Sequence, residues 1–108
     1  MSYKHLYGRF SERQMLQVRK DLRASIFFLL LCVDKKTRHE YKDVDVNQCF
    51  EGLLLKMGGL NKLLNEPLSV VTTMSLLQAA QNEFNNPKFS FWTYRKLILD
   101  AGSEIMKL

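Results

Sequence analysis

Two histidines and two cysteines are the residues of this sequence best suited to metal binding or nucleophilic chemistry. They are His5, Cys32, His39 and Cys49, and no two of them have the C-x-x-C or H-x-x-x-H spacing of a zinc site. Nucleophilic catalysis needs a serine or cysteine beside a base and an orienting group, which two scattered histidines do not provide. The glycines form no phosphate-binding loop. We therefore predict a protein that is not an enzyme, with no catalytic residue, metal or cofactor.

Basic residues are concentrated in the first part of the chain. Residues 1–42 contain ten lysines or arginines and four acidic residues, whereas residues 43–108 contain six and seven. A helical wheel places five of these cations together, and we call them the basic face: Arg9, Arg13, Arg19, Lys20 and Arg23. Such a face could bind an acidic partner, or grip the phosphates of a nucleic acid without reading its sequence. A solvated surface explains it equally well.

Aromatic and methionine side chains suggest a second binding surface. The segment "FSFWTYRK" is rich in aromatic residues, and its Phe91 and Tyr94 lie on the apolar stripe of the last predicted helix. Trp92 is therefore expected to face away from the core, where a tryptophan beside basic residues suits a protein-binding hot spot. Methionine adapts to irregular partner surfaces. The predicted partner-binding residues are Met15, Trp92, Arg95, Lys96 and Met106.

Apolar residues recur at intervals of three and four and predict four helices. Ser11 and Gln14 form a capping-box pattern that starts the first helix. Its segment 26–33 is apolar on all sides, so other elements must cover it, and part of that cover could come from another chain. The fold class is thus all-α, with four main helices in one domain spanning residues 1–108, of which residues 1–10 form an N-terminal arm.

The ends of the later helices are predicted from glycine, proline and serine. The second helix is expected to begin near Asp45 or Val46 and to end at Gly58 and Gly59, because glycine accepts the left-handed conformation of a C-cap. "LNKLLNE" would then be a short linker or a single turn. Pro67 suits the first turn of the third helix, which "NNP" ends, and Ser90 suits the N-cap of the fourth.

Cysteine usage and hydropathy indicate the compartment. Cys32 and Cys49 fall in apolar segments, so we interpret both as free thiols rather than as a disulfide. The N-terminus lacks the apolar core of a signal peptide, and both features favour a reducing, cytoplasmic setting. The apolar run 26–33 is far shorter than the roughly 20 residues that a membrane-spanning helix needs. No membrane span is predicted.

Two segments of the chain follow the same pattern. "YKDVDVNQCFEGLLLKMG" and "NPKFSFWTYRKLILDAG" each read as a polar loop, an isolated apolar residue and then a helix. Val44 and Phe89 match the apolar loop position that pairs across the two loops of EF-hand proteins. The resemblance covers about residues 20–105, and it implies an EF-hand-like pair of helix-loop-helix units. A four-helix bundle of another topology gives the same apolar stripes, so both remain open.

The resemblance does not extend to calcium binding, which requires oxygen ligands and a glycine at fixed loop positions. Counting back from Val44, position six is Lys42 and the ligand positions are Thr37, His39, Tyr41, Asp45 and Gln48. Counting back from Phe89, position six is Pro87 and the ligand positions are Asn82, Phe84, Asn86, Ser90 and Thr93. Neither loop has the bidentate glutamate at its end, so we expect no calcium binding.

These features together predict a binding protein. We expect a calcium-independent, EF-hand-like interaction module, an adaptor or subunit, that holds a partner protein in an apolar groove. The basic face favours an acidic or neutral partner, or a second copy of the chain. One alternative is a basic helical protein that binds nucleic acid through Arg13, Lys20 and Arg23. A small cytosolic immunity or inhibitor protein of a mobile element is another alternative.

Overall fold

Four α-helices make up most of the computed structural model, which describes residues 10–108. The helices are α1 (Glu12–Leu31), α2 (Val46–Leu63), α3 (Leu68–Phe84) and α4 (Phe91–Ile105). A short 3-10 helix (Arg38–Tyr41) lies in the connection between α1 and α2. This part of the chain contains no β-strand. The predicted all-α, four-helix fold is confirmed. His5 and Arg9 lie outside the described residues, as does the predicted N-terminal arm apart from its last residue.

The first helix begins at the predicted capping box and buries the predicted stripe. The Ser11 hydroxyl oxygen accepts from the Gln14 backbone N–H at 3.2 Å, and the Gln14 side-chain oxygen accepts from the Ser11 N–H at 2.8 Å. This reciprocal pair satisfies two donors that a helix start leaves free. In the apolar segment 26–33, only Leu31 is exposed, at 39%. The other residues are buried or half-buried by this chain itself.

The second helix ends later than predicted, at Leu63. Gly58 and Gly59 lie inside α2, and "LNKL" continues it, so the expected C-cap at these glycines is wrong. The stop is a Schellman motif, in which Asn65 takes the left-handed conformation with φ 62°. Its N–H donates to the Lys62 carbonyl at 3.3 Å, and the Glu66 N–H donates to the Asn61 carbonyl at 2.8 Å. Asparagine tolerates this conformation, so no glycine is needed.

Both ends of α3 and the start of α4 follow the sequence closely. Pro67 is the N-cap of α3, one position earlier than predicted, and α3 ends at Phe84 before the "NNP" segment. Ser90 caps α4 as predicted, because its hydroxyl accepts from the Thr93 N–H at 3.4 Å. Val44 and Phe89 are not in strands. The resemblance to EF-hand proteins stays a prediction.

Helix α4 is the central packing element of the bundle. It packs against both α3 and α1, while α2 packs mainly against α3 and only thinly against α1. The buried residues form one hydrophobic core, whose largest members include Tyr94, Phe50, Met15 and Met57. Both cysteines are free thiols, as predicted, with Cys32 buried and Cys49 half-buried. The α1–α4 packing brings the end of α1 beside the start of α4.

Candidate partner-binding groove

A groove of about 530 Å³ lies between the α1–α2 connection and the start of α4. We call it the Trp92 groove. The connection forms one wall, which we call the cationic wall: Val33, Asp34, Lys35, Lys36 and Arg38. The start of α4 and the residue before its N-cap form the other, which we call the aromatic wall: Phe89, Phe91, Trp92 and Arg95. Charged and aromatic side chains therefore face one cavity.

The cationic wall is held in shape by hydrogen bonds at the end of α1. The Asp34 carboxylate accepts from the Lys36 N–H at 2.9 Å, and the Thr37 hydroxyl donates to the Leu31 carbonyl at 2.6 Å. The Arg38 N–H donates to the Asp34 carbonyl at 2.8 Å. These bonds fix the turn that carries the basic residues. Lys35, Lys36 and Arg38 remain exposed on it.

The aromatic wall is built on the first turn of α4. The Trp92 side chain is 74% exposed, and its ring meets the Phe91 ring edge-on, with centroids 5.6 Å apart. The Arg95 guanidinium lies 6.0 Å from the centroid of the Trp92 ring, within cation–π range. Behind them, the Phe89 and Tyr94 rings are in edge contact at 5.8 Å. The exposed indole thus contacts one aromatic ring and one guanidinium of its own helix.

A buried hydrogen bond joins α1 to α4 close to the two walls. The Tyr94 hydroxyl donates to the Leu29 carbonyl at 2.7 Å, which ties the first turns of α4 to the last turn of α1. Burial raises the pKa of Tyr94 above its usual range, with smaller contributions from Cys32 and Cys49. The hydroxyl therefore stays protonated and able to donate at physiological pH. Trp92 lies two residues from Tyr94, and the cationic wall begins four residues after Leu29.

Positive charge dominates the groove. Among the described residues that line it are four cations, Lys35, Lys36, Arg38 and Arg95, and one acidic residue, Asp34. The first turn of α4 contains no acidic residue, so the positive end of the helix dipole is not neutralised from within that turn. A groove of this composition attracts anionic groups, and its aromatic wall offers apolar contact beside them. Its described lining residues include no serine, cysteine or histidine.

The predicted partner-binding residues are only partly gathered at this site. Trp92 and Arg95 line the groove. Lys96 is exposed next to it, where its ammonium pairs with Asp100 at 2.9 Å. Met106 is half-buried near the C-terminal end of α4, away from the groove. The prediction that Met15 binds a partner is wrong, because its side chain is buried in the core with 0% exposure.

The basic face is a second surface, on the first turns of α1. Arg13, Lys20 and Arg23 are exposed, and the Arg23 guanidinium lies 6.0 Å from the Phe27 ring centroid. Arg19 is half-buried and donates from Nη1 to the Leu108 carbonyl at 2.7 Å, so it holds the C-terminal turn against α1. This structural role separates Arg19 from the exposed cations.

Phe89 and the three cations of the connection were absent from the predicted site. The string "KKTR" shows in sequence that the connection is basic. It gives no sign that these cations face Trp92, since more than fifty residues separate them. That proximity depends on the packing of α1 against α4.

Other features offer less chemistry. Two apolar cavities of about 360 and 320 Å³ lie along the α1–α2 seam, and the described residues that line them include Lys56, which both share, and one acidic residue, Asp21. Because Lys56 and Asp21 carry opposite charges, the charge of these cavities does not indicate which class of ligand they would bind. Within residues 10–108, no group of three or more metal-ligating side chains is present, and no helix has the length and apolar character needed to cross a bilayer.

Comparisons with known proteins give no relative from which a function could be transferred. No protein-family model matches the chain, and no curated protein or solved structure matches it either. The Trp92 groove and its chemistry are therefore the observations of this chain that bear on its function.

Proposed function

We propose that this chain is a non-catalytic protein-binding module that holds a partner protein in the Trp92 groove. The observation that carries the proposal is Trp92 itself, a tryptophan that is 74% exposed at the edge of a cavity of about 530 Å³. Exposing so much indole to water is unfavourable, and burial of a tryptophan in an interface is among the strongest single contributions to protein binding. The partner is acidic or neutral, or a second copy of the chain.

The arrangement around Trp92 supports this proposal. Arg95 stacks near the indole, and tryptophan and arginine are the residue types most enriched at binding hot spots. Both belong to a helix that is capped by Ser90 and anchored by buried Tyr94, so the surface is rigid before a partner arrives. A preformed site avoids part of the entropy cost of binding. The binding does not depend on calcium.

The test compares Trp92→Ala with substitutions of equally exposed leucines elsewhere. Leu55 and Leu68 are 80% and 78% exposed and do not line the groove, so Leu55→Ala and Leu68→Ala are matched controls. Partners are captured from the native source, in calcium and in chelator, and the purified partner is then titrated against each variant. We expect Trp92→Ala to weaken binding by about 30-fold, or about 2 kcal/mol, and the controls to stay within about twofold.

Two results would count against the proposal. If Trp92→Ala and wild type bound every captured protein with equal affinity, the groove would not be the partner-binding site. Capture that requires calcium would contradict the calcium-independent mode. Circular dichroism of each variant separates loss of binding from loss of fold, which is not expected at a side chain this exposed.

A further inference from the structure

We infer that the Trp92 groove binds an acidic protein segment in which an apolar side chain lies next to carboxylates. The inference rests on the proposed function and names the chemistry of the partner. It follows from the two unlike walls of the groove, one cationic and one aromatic. A segment that carried only charge, or only apolar residues, would satisfy one wall and leave the other in water.

The cationic wall is available to an external carboxylate. Within residues 10–108, none of the four groove cations takes part in an ion pair, whereas Lys96 and Lys107 pair with Asp100 and Glu104. Asp34, the one acidic lining residue, already accepts a hydrogen bond from the Lys36 N–H. Several cations that form no ion pair within residues 10–108 leave a local excess of positive charge around one cavity. Acidic side chains of a partner would neutralise it.

The aromatic wall supplies the second half of the recognition. Phe89 is 39% exposed and Trp92 74%, so both rings have surface to cover. Phe91 between them is half-buried. One aromatic or long aliphatic side chain of the partner can pack against these rings while neighbouring carboxylates reach Lys35, Lys36 or Arg38. The cavity volume of about 530 Å³ suits a few side chains of a single segment.

A protein segment fits these features better than a single-stranded nucleic acid. A nucleic acid carries regularly spaced phosphates and needs cations along a track, with open aromatic faces for its bases. Here the loop cations are confined to one wall, the Arg95 guanidinium lies over the Trp92 ring, and Phe91 meets that ring edge-on. Carboxylates clustered beside one apolar anchor match this confined geometry.

The test uses synthetic peptides as probes and charge reversal in the full chain. The probe is a short peptide rich in Asp and Glu around one Phe. Its counterparts replace the acids by Asn and Gln, or the Phe by Ala. Binding is measured for wild type, Lys36→Glu and Arg38→Glu. Arg13→Glu and Lys20→Glu are matched controls, since they make the same charge change at exposed positions of the basic face.

We expect the acidic Phe peptide to bind wild type, and each altered peptide to bind at least about tenfold more weakly. Lys36→Glu and Arg38→Glu should weaken the acidic peptide by about tenfold or more, and the controls by less than about threefold. Affinity should fall with added salt, because the cations are exposed.

Several results would overturn the inference. These are equal binding of the acidic and amide peptides, equal losses in groove and control variants, or preferential binding of a single-stranded oligonucleotide through Lys36 and Arg38. Dimerisation of the chain that is lost in Lys36→Glu would assign the groove to a second copy instead. If Trp92→Ala abolishes partner capture while no acidic peptide binds, the proposed function stands and this inference fails.

Discussion

The Tyr94 hydroxyl donates to the Leu29 backbone carbonyl at 2.7 Å in the buried contact between α4 and α1. The α-helical partner of that carbonyl would be the Val33 N–H, which donates instead to Leu30 at 3.1 Å. A tyrosine from α4 therefore satisfies a carbonyl at the C-terminal end of α1, where helices leave acceptors free. The same bond joins the end of α1, which precedes the cationic wall, to the first turns of α4, which carry most of the aromatic wall.

Removing this hydroxyl should destabilise the fold. We expect Tyr94→Phe to lower the free energy of unfolding by about 1–3 kcal/mol, because the Leu29 carbonyl would be left buried without its donor. Urea denaturation followed by circular dichroism measures the change. Tyr41→Phe is the control, since it keeps the edge-to-face contact of the half-buried Tyr41 ring with Phe28 at 5.1 Å. An equal loss in both variants would contradict the assigned role of the Tyr94 bond.

The raised pKa of Tyr94 predicts a loss of stability in alkali. In the unfolded chain the phenol ionises near its ordinary pKa of 10.0, whereas in the folded protein burial keeps it protonated at higher pH. The unfolded state therefore releases a proton that the folded state retains. The contribution of this group is complete below pH 10 and declines as pH rises above it.

The difference between wild type and Tyr94→Phe isolates this contribution, because the other titrating groups are common to both. Their difference in free energy of unfolding should be constant from pH 7 to about 9 and should shrink above about pH 10. Urea denaturation across this range measures it. A difference that stays constant through alkaline pH would show that Tyr94 ionises alike in the two states.

Two helical glycines should respond to alanine in opposite directions. At Gly102 an added Cβ would stand 2.7 Å from Cζ of Phe27, inside van der Waals contact, whereas at Gly59 it would meet nothing within 4 Å. We expect Gly102→Ala to destabilise the protein by about 1–3 kcal/mol through overpacking between α4 and α1. Gly59→Ala should stabilise it by about 1 kcal/mol, as expected inside a helix. Thermal or urea unfolding measures both.

The Gly59 result also tests where α2 ends. A C-cap glycine in the left-handed conformation would make alanine unfavourable, so destabilisation by Gly59→Ala would support the end predicted from sequence. Phe27→Leu in the Gly102→Ala background is the control for overpacking, since a smaller side chain should recover part of the loss.

Asn65 is the residue whose backbone ends α2, and glycine should do this better. Asn65→Gly keeps both hydrogen bonds of the Schellman motif and removes the steric cost of φ 62° in a residue with a Cβ. We expect a gain of a few tenths to about 1 kcal/mol, and a loss for Asn65→Ala, in thermal unfolding. A loss of stability in both variants would mean that the asparagine side chain, rather than the backbone conformation, stabilises the end of α2.

Local patterns predicted the helices well, and long-range packing explains what they missed. The capping box at Ser11 and the N-cap at Ser90 depend on residues three apart, so sequence was sufficient. The end of α2 was misplaced because two adjacent glycines are a stronger local signal than Asn65. Met15 lay on the predicted apolar stripe of α1, and assigning it to a partner surface gave residue type more weight than periodicity.

The candidate site, like the fold, was predicted where local patterns were sufficient and missed where long-range packing decides. Trp92 and Arg95 were identified from one helix, since neighbours on the apolar stripe left the tryptophan facing outward. Lys35, Lys36 and Arg38 join them only because α1 packs along α4, and no local pattern encodes that packing. The groove is therefore a tertiary feature, whereas its exposed aromatic residue is a local one.

Trp92 is the only tryptophan of the chain, so its fluorescence reports directly on the groove. At 74% exposure, the free protein should emit at long wavelength and be quenched readily by acrylamide. A bound segment that covers the indole should shift the emission to shorter wavelength and reduce quenching, because water leaves the ring. Lys36→Glu should weaken this response to the acidic peptide without changing the emission of the free protein. Binding that leaves emission and quenching unaltered would place the ligand elsewhere on the surface.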